Sequence, residues 1–171
     1  MRPSIPAGTP GATYFFTVAL QDRGASWLTD QVDVLRECVR RVRARHPFDV
    51  DAMVVLPDHL HALWTLPAGD VNLPLRWRLV QRSFTRRLLM AGVLDPKASR
   101  RRGDTERALW QARWRMRQIR DEEDHARHVD RIHHDPVKHG WAKAAGDWPH
   151  SSIHRWIREG RLPPAWALAE A

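Results

Sequence analysis

The sequence predicts an α+β domain of the ferredoxin-like type, in which an antiparallel sheet carries helices on one face. The predicted elements follow the order strand, helix, strand, strand, helix, strand, with one helix added at the end. The chain of 171 residues is also long enough for one hydrophobic core and short for two. A sheet of this type leaves its second face free, and we expect the chemistry to lie there.

The first half of the chain supplies three strands and one helix. Residues 14–20 (YFFTVAL) have the β-branched and aromatic content of a strand. Asp30 is placed to cap a helix, because apolar residues recur at helical spacing after it. Residues 48–55 and 60–66 are two further strands, which a Pro-Asp turn joins as a hairpin.

The second half supplies a long helix, a basic loop, a strand and the added helix. Residues 73–90 carry apolar side chains at helical spacing, with arginines on the opposite side. Residues 95–106 contain almost no apolar side chain, which predicts a flexible loop. Residues 109–119 alternate enough for a strand with arginines on one face. The acidic stretch that begins at Asp121 favours the start of the last helix.

Composition restricts the partner and the compartment. The formal net charge is +8 and arginine dominates over lysine, which suits bidentate contacts to phosphate and stacking on bases. A nucleic acid is therefore the expected partner, and a membrane is not. The single cysteine, Cys38, excludes a disulfide within the chain. The sequence has neither the apolar core of a signal peptide nor a membrane-spanning run, so we expect a cytoplasmic protein.

Two histidines interrupt the apolar run of residues 53–67 (MVVLPDHLHALWTLP). Residues two apart share one face of a strand, so His59 and His61 point the same way. Two neutral imidazoles are ready metal ligands, although a catalytic divalent ion usually requires a third protein ligand. A structural, hydrogen-bonded histidine pair is the alternative, and the spacing alone favours it.

Four segments together resemble the REP-associated tyrosine transposases, a branch of the single-tyrosine HUH transposases. The segments are residues 53–67, 110–114 (WQARW), 125–141 (HARHVDRIHHDPVKHGW) and 147–166 (DWPHSSIHRWIREGRLPPAW), so the resemblance covers nearly the whole chain. It implies one domain over residues 1–171, with a core at 12–135 and a C-terminal extension at 136–171 that carries the DWPxSSxH signature. It also implies Mg²⁺ or Mn²⁺ bound by His59 and His61, with Asp135 as third ligand where the family has asparagine.

The resemblance implies a reaction and a partner. In the family a tyrosine attacks a single-stranded DNA phosphodiester and forms a 5′-phosphotyrosine, while the metal polarises the scissile phosphate. The implied partner is a stem-loop of single-stranded DNA, bound by a monomer or a homodimer. A set of arginines is expected to bind its phosphates, although each could instead belong to a solvated helix face or loop. These are Arg76, Arg78, Arg82, Arg86, Arg87, Arg100, Arg101, Arg102 and Arg131.

The sequence departs from the family at the nucleophile. Arg131 occupies the tyrosine position, and a permanently protonated guanidinium is no nucleophile. The chain's single tyrosine, Tyr14, falls on the first predicted strand, where we expect it to pack. We therefore expect DNA binding with impaired strand cleavage. Two alternatives remain: an active phosphodiesterase that uses a metal-bound water or a histidine such as His133 or His134, and a regulatory DNA- or RNA-binding module with a structural histidine pair.

Overall fold

A four-stranded antiparallel sheet forms the centre of the fold in the computed structural model, which describes residues 11–95 and 109–168. The strands are β1 (Thr13–Ala19), β2 (Asp49–Val55), β3 (His59–Thr65) and β4 (Arg115–Gln118). The helices are α1 (Trp27–Asp30), α2 (Val32–Arg45), α3 (Leu73–Met90), α4 (Glu122–Lys138) and α5 (Ile153–Arg158). The strand order β2-β3-β1-β4 is that of a ferredoxin-like sheet, which confirms the predicted fold class.

Most element boundaries lie close to those predicted, and two differ. Asp30 does not cap α2, because it ends the short helix α1 and its carboxylate accepts a hydrogen bond from the Ser26 hydroxyl. β4 is shorter than predicted, since only an isolated bridge between Trp110 and Leu20 precedes Arg115–Gln118. The acidic start of α4 is confirmed, because the Asp121 side chain accepts a hydrogen bond from the backbone of Asp124.

The main core lies between the sheet and helices α2 and α3. Alternate residues of β1 and β3 point to this side, as the period of a strand requires. The ring of Trp64 stacks on Phe48 with centroids 4.0 Å apart and meets Phe16 edge-on at 4.9 Å. Tyr14 is only 1% exposed on the same side, which confirms its predicted role in packing.

The opposite face of the sheet is only partly free, contrary to the prediction of an open face. Helix α4 lies on it and buries Val129 and Ile132 against Phe15, Val54 and Leu63. The amphipathic pattern of α4 requires such a partner, because an apolar helix face left in water is unfavourable. The uncovered part of this face lies beside β1 and β4.

The C-terminal extension covers the edge strand β2 and also contacts α4. The backbone N–H of Val55 donates to His150 O at 2.9 Å, and that of Ser152 donates to Met53 O at 2.8 Å. His133 Nε2 of α4 lies 2.8 Å from the Ser152 hydroxyl oxygen. The extension therefore pairs with an edge that would otherwise expose backbone donors and acceptors, and it fixes α4 against the sheet.

Arg76 has a structural role, contrary to the prediction that it binds DNA. Its side chain is 3% exposed and its guanidinium donates to the backbone carbonyls of His46, Pro47 and Asn72. It also forms a 2.6 Å ion pair with Asp70. Each of its three nitrogens thus donates within the protein, and its burial leaves a phosphate little access to this arginine.

Some predictions concern residues outside the described part of the chain. The loop arginines Arg100, Arg101 and Arg102 belong to residues 96–108, which the structure does not describe. Among the residues that it does describe, no helix has the length and apolar character needed to cross a membrane.

Replacing Arg76 by alanine should destabilise the fold. The change removes a buried side chain and leaves three backbone carbonyls and the Asp70 carboxylate without their donor, so we expect a loss of about 2–4 kcal/mol in the free energy of unfolding. Urea unfolding followed by circular dichroism measures this loss. Arg78, which is exposed on the same helix, provides the matched control, and Arg78→Ala should change stability by no more than about 0.5 kcal/mol. Equal stability of the two variants would contradict the structural role.

Candidate metal centre

His59 and His61 lie side by side on β3, on the sheet face that α4 partly covers. His59 Nδ1 lies 2.7 Å from Asp58 Oδ1, and because a carboxylate only accepts, that nitrogen carries a proton. His61 Nδ1 lies 2.7 Å from the Thr17 hydroxyl oxygen on β1, and an Nδ1–H there donates to it. Each imidazole is thus held through one nitrogen and presents Nε2 to α4, which is the arrangement that metal-binding histidines usually have.

Asp135 of α4 faces the two histidines across the interface between helix and sheet. Its Oδ2 lies 3.2 Å from His61 Nε2 and 3.6 Å from His59 Nε2. The carboxylate is buried, with a side chain that is 2% exposed. The three residues predicted as metal ligands therefore lie together, although they are far apart in the sequence.

The geometry of this cluster is one that a cation completes. Asp135 Oδ2 is buried and makes no hydrogen bond of acceptable geometry. The proton of a neutral His59 is on Nδ1 and is directed at Asp58, so its Nε2 turns a lone pair toward the Asp135 carboxylate. This arrangement is repulsive unless a cation or a further proton lies between the two groups. Ligands about 2.1 Å from one ion, at angles of about 90–110°, lie about 3.0–3.4 Å apart. The observed separations are close to these, so the residues present fit a divalent ion.

The charges of the cluster also suit a cation. Burial acts to raise the pKa of Asp135, but its interactions with His59 and His61 outweigh burial and hold that pKa well below its usual range. Burial lowers the pKa of His61, which stays neutral at neutral pH. Burial acts in the same direction on His59, but Asp135 and Asp58 outweigh it and raise the pKa. An anionic carboxylate beside imidazole is a suitable ligand set for a divalent metal.

A further histidine that the sequence reasoning missed lies at the same cluster. His139 is the residue that caps the end of α4, and its Nε2 lies 3.6 Å from Asp135 Oδ2. The signal in the sequence was its spacing, because a residue four positions after Asp135 lies one helical turn further along the same face. The prediction stopped at three ligands, since the resemblance had supplied three.

The cluster opens into a cleft of about 520 Å³ with a basic lining. β4 contributes Arg115 and Arg117, which lie opposite Thr17 and Phe15 of β1 in the sheet register. The remaining cationic residues that line the cleft are Arg23, Arg113, Arg131 and Lys138. Of these six, only Arg131 was predicted as a DNA contact. These arginines had a signal in the sequence, because every second residue of a strand lies on one face. Arg115 and Arg117 belong to β4, and Arg113 precedes it at the same spacing.

Arg131 lies beside the metal-ligand cluster and not within it. It is exposed on α4, one turn before Asp135, and lines the cleft. Its guanidinium carbon lies 5.3 Å from the centroid of the Phe15 ring, within the range of a cation–π contact. Phe15 in turn stacks on His61, with centroids 5.7 Å apart. Phe15 therefore contacts both the Arg131 guanidinium and the His61 imidazole.

The predicted arginines of α3 lie on another side of the molecule. Arg78, Arg82 and Arg86 are exposed and Arg87 is half-buried, on a helix that packs against the face of the sheet opposite His59 and His61. None of the four lines the cleft. Helical spacing shows that these arginines lie on the exposed side of α3, but it does not show which face of the sheet the helix covers.

The two histidines considered as replacement nucleophiles also lie away from the cleft lining. His133 is fully buried and its Nε2 contacts the Ser152 hydroxyl. His134 is exposed on another side of α4, where its ring lies 4.2 Å from that of Trp166. The histidine of α4 that does line the cleft, besides His139, is His128.

Comparison with known proteins identifies the family. The REP-associated tyrosine transposase of Escherichia coli K12 is 40% identical over 157 residues, which cover 92% of this chain and 86% of the relative. The chain belongs to the REP-associated tyrosine transposases. A Haemophilus influenzae member of the family is 39% identical over 163 residues, covering 92% of this chain and 89% of that protein. No family model matches the chain.

Solved structures agree with this assignment. A REP-associated tyrosine transposase bound to a REP hairpin superimposes with a TM-score of 0.80 at 37% identity, over 100% of this chain and 93% of that one. A Deinococcus radiodurans protein described as a transposase gives a TM-score of 0.50 at 18% identity, over 72% of this chain and 90% of that one, and supports the fold alone. The resemblance read from the sequence motifs is therefore confirmed.

Family membership makes the position of the tyrosine informative. The chain has one tyrosine, Tyr14, which is buried among the residues that contact α2 and α3. His59, His61 and Asp135 lie on the other face of the sheet. A strand directs neighbouring side chains to opposite faces, so the phenol of Tyr14 has no path to the cleft while the sheet is intact.

Proposed function

We propose that this member of the family binds a DNA stem-loop in the basic cleft, holds a divalent ion there, and does not cleave through a tyrosine. The observation that carries the proposal is the contrast between an assembled ligand cluster and a sole tyrosine buried on the opposite face of the sheet. A relative of known structure is bound to a REP hairpin, which supports a hairpin as the ligand of this chain.

The proposed ion is Mg²⁺ or Mn²⁺, held by His59, His61 and Asp135. When bound, such an ion polarises a phosphate oxygen of the DNA. Thr17 and Asp58 support the two imidazoles from behind and orient Nε2 toward the ion. The buried Asp135 carboxylate would supply one negative charge, which offsets part of the charge of a divalent ion.

The DNA backbone is proposed to follow the cleft. Arg113, Arg115 and Arg117 line one side of it and Lys138 another, so phosphates that enter the cleft meet positive charge from both. The arginines on the exposed side of α3 contribute to the long-range attraction of DNA without contacting the cleft.

Arg131 is proposed to hold a phosphate oxygen in place of the nucleophile. Its guanidinium cannot attack a phosphodiester, but its planar donors suit a bidentate contact with one. Its position one turn before Asp135 directs it to the phosphate that the ion would contact. The expected result is a protein that binds the stem-loop without forming a covalent adduct.

Hairpin preference is the first test of the proposal. A stem-loop DNA with a single-stranded flank should bind more tightly than an unstructured strand of equal length, because the folded DNA presents its phosphates in a fixed register. Fluorescence anisotropy at several salt concentrations measures both affinities, and both should fall steeply as salt rises. An RNA of the same sequence serves as control, since its helix has the A form. Equal affinity for hairpin and unstructured DNA would remove the hairpin claim.

Metal uptake is the second test. Replacing His59 and His61 together by alanine should abolish Mn²⁺ binding measured by titration calorimetry, with the circular dichroism spectrum preserved. His125→Ala and His154→Ala together form the matched control, because both histidines lie outside the cleft and should leave the titration unchanged. Identical Mn²⁺ titrations of the wild type and the His59/His61 variant would restore the structural interpretation of the histidine pair.

Arg131 provides the third test, through two substitutions. Arg131→Ala should weaken hairpin binding, whereas Arg45→Ala, which removes an equal charge from α2, should weaken it less. Arg131→Tyr should give metal-dependent covalent adducts on hairpin DNA, seen as a protein–DNA band that survives denaturing electrophoresis. Adduct formation by the unmodified protein would overturn the proposal in favour of another nucleophile.

A further inference from the structure

The end of α4 places His139 at the metal-ligand cluster with a fixed backbone. Gly140 follows it with a φ of +73°, a left-handed conformation that favours glycine. The Gly140 N–H donates to Val137 O at 3.0 Å and the Trp141 N–H to Pro136 O at 2.8 Å, the two bonds of a Schellman motif. This termination of the helix sets the position from which the His139 side chain leaves the backbone.

The side chain of His139 reaches the cluster from the solvent side. Its Nε2 lies 3.6 Å from Asp135 Oδ2, and its ring centroid lies 5.1 Å from that of His59. Ligand atoms of His59, Asp135 and His139 all lie within 4.8 Å of one another. The side chain is 42% exposed, whereas those of His59, His61 and Asp135 are nearly inaccessible to solvent.

We propose that His139 is a fourth protein ligand of the ion and makes the site select a transition-metal ion over Mg²⁺. The inference rests on the metal site proposed above and adds a residue and a selectivity to it. The resulting set of three imidazoles and one carboxylate is rich in nitrogen. Mg²⁺ prefers oxygen ligands and retains several waters, whereas Mn²⁺ and especially Zn²⁺ bind imidazole more strongly.

The position of His139 also limits access to the ion. The other three ligands approach from within the protein, so a substrate oxygen would have to approach from the open side, where His139 lies. A catalytic ion keeps an open position, and a fourth protein ligand fills one position of a four-coordinate site. Binding of a phosphate oxygen therefore requires either a larger coordination number or displacement of the His139 imidazole.

Metal titration tests whether His139 takes part in binding the ion. Metal-free wild-type protein and the variants His139→Ala and His134→Ala are titrated with Mn²⁺ and, separately, with Mg²⁺ in a calorimeter. Loss of residues that only orient a ligand costs about 10–100-fold in affinity, so loss of a ligand should weaken Mn²⁺ binding by at least about tenfold. Mg²⁺ affinity should change much less. His134 is the control because it is an exposed histidine of the same helix that does not line the cleft.

Electron paramagnetic resonance provides a readout that a structural role would not change. With Cu²⁺ as the probe, each coordinated imidazole adds nitrogen hyperfine structure to the spectrum. The wild type should show three such nitrogens and His139→Ala two, and added free imidazole should restore the third. Identical spectra and equal Mn²⁺ affinities for the wild type and His139→Ala would overturn the proposal. That outcome leaves the proposed site of His59, His61 and Asp135 intact. If every variant, including the His59/His61 double alanine variant, still bound Mn²⁺ as the wild type does, the site itself would be rejected.

Discussion

The contact between the Asp135 carboxylate and the histidines of β3 is the constraint on which the functional face depends. A buried carboxylate is costly unless it is compensated by positive charge or hydrogen bonds. In the described structure the groups nearest its Oδ2 are imidazole nitrogens, at 3.2–3.6 Å, none of them in a good hydrogen bond. The negative charge of Asp135 must therefore be compensated by a proton or a cation that α4 and β3 share. The position of the helix on the sheet is thus linked to whether the cluster holds that proton or cation.

The C-terminal extension gives α4 a position that does not depend on that cluster. Ser152 accepts a hydrogen bond from the Met53 backbone and contacts His133 of α4, so one hydroxyl joins the edge strand to the helix. Trp156 packs in the same small core and donates to Asp51 O at 2.8 Å. The DWPxSSxH signature, which the sequence offered only as a mark of the family, thus has a physical role in holding the helix that carries Asp135.

Local patterns in the sequence predicted the fold well, because strand and helix periodicity are local properties. The face shared by His59 and His61, the limits of α3 and the acidic start of α4 all follow from spacing along the chain. Arg76 was misassigned because amphipathic spacing does not reveal that its partners are carbonyls of the turn after α2. His139 was missed for a related reason, since its role depends on where α4 meets β3, and only tertiary structure fixes that meeting point.

If Arg131 holds a phosphate as proposed and the proposed ion is bound, two positive charges lie near one phosphate site. In bulk water such charges interact weakly, but in a partly buried cleft the repulsion is several times stronger. Phe15 reduces the conflict, because its ring makes a cation–π contact with the guanidinium. A phosphate that contacts both charges would remove the rest of the repulsion. On the proposed function, Arg131 would weaken metal binding when DNA is absent and stabilise the complex of protein, ion and DNA when DNA is present. Metal and DNA should therefore bind with positive coupling.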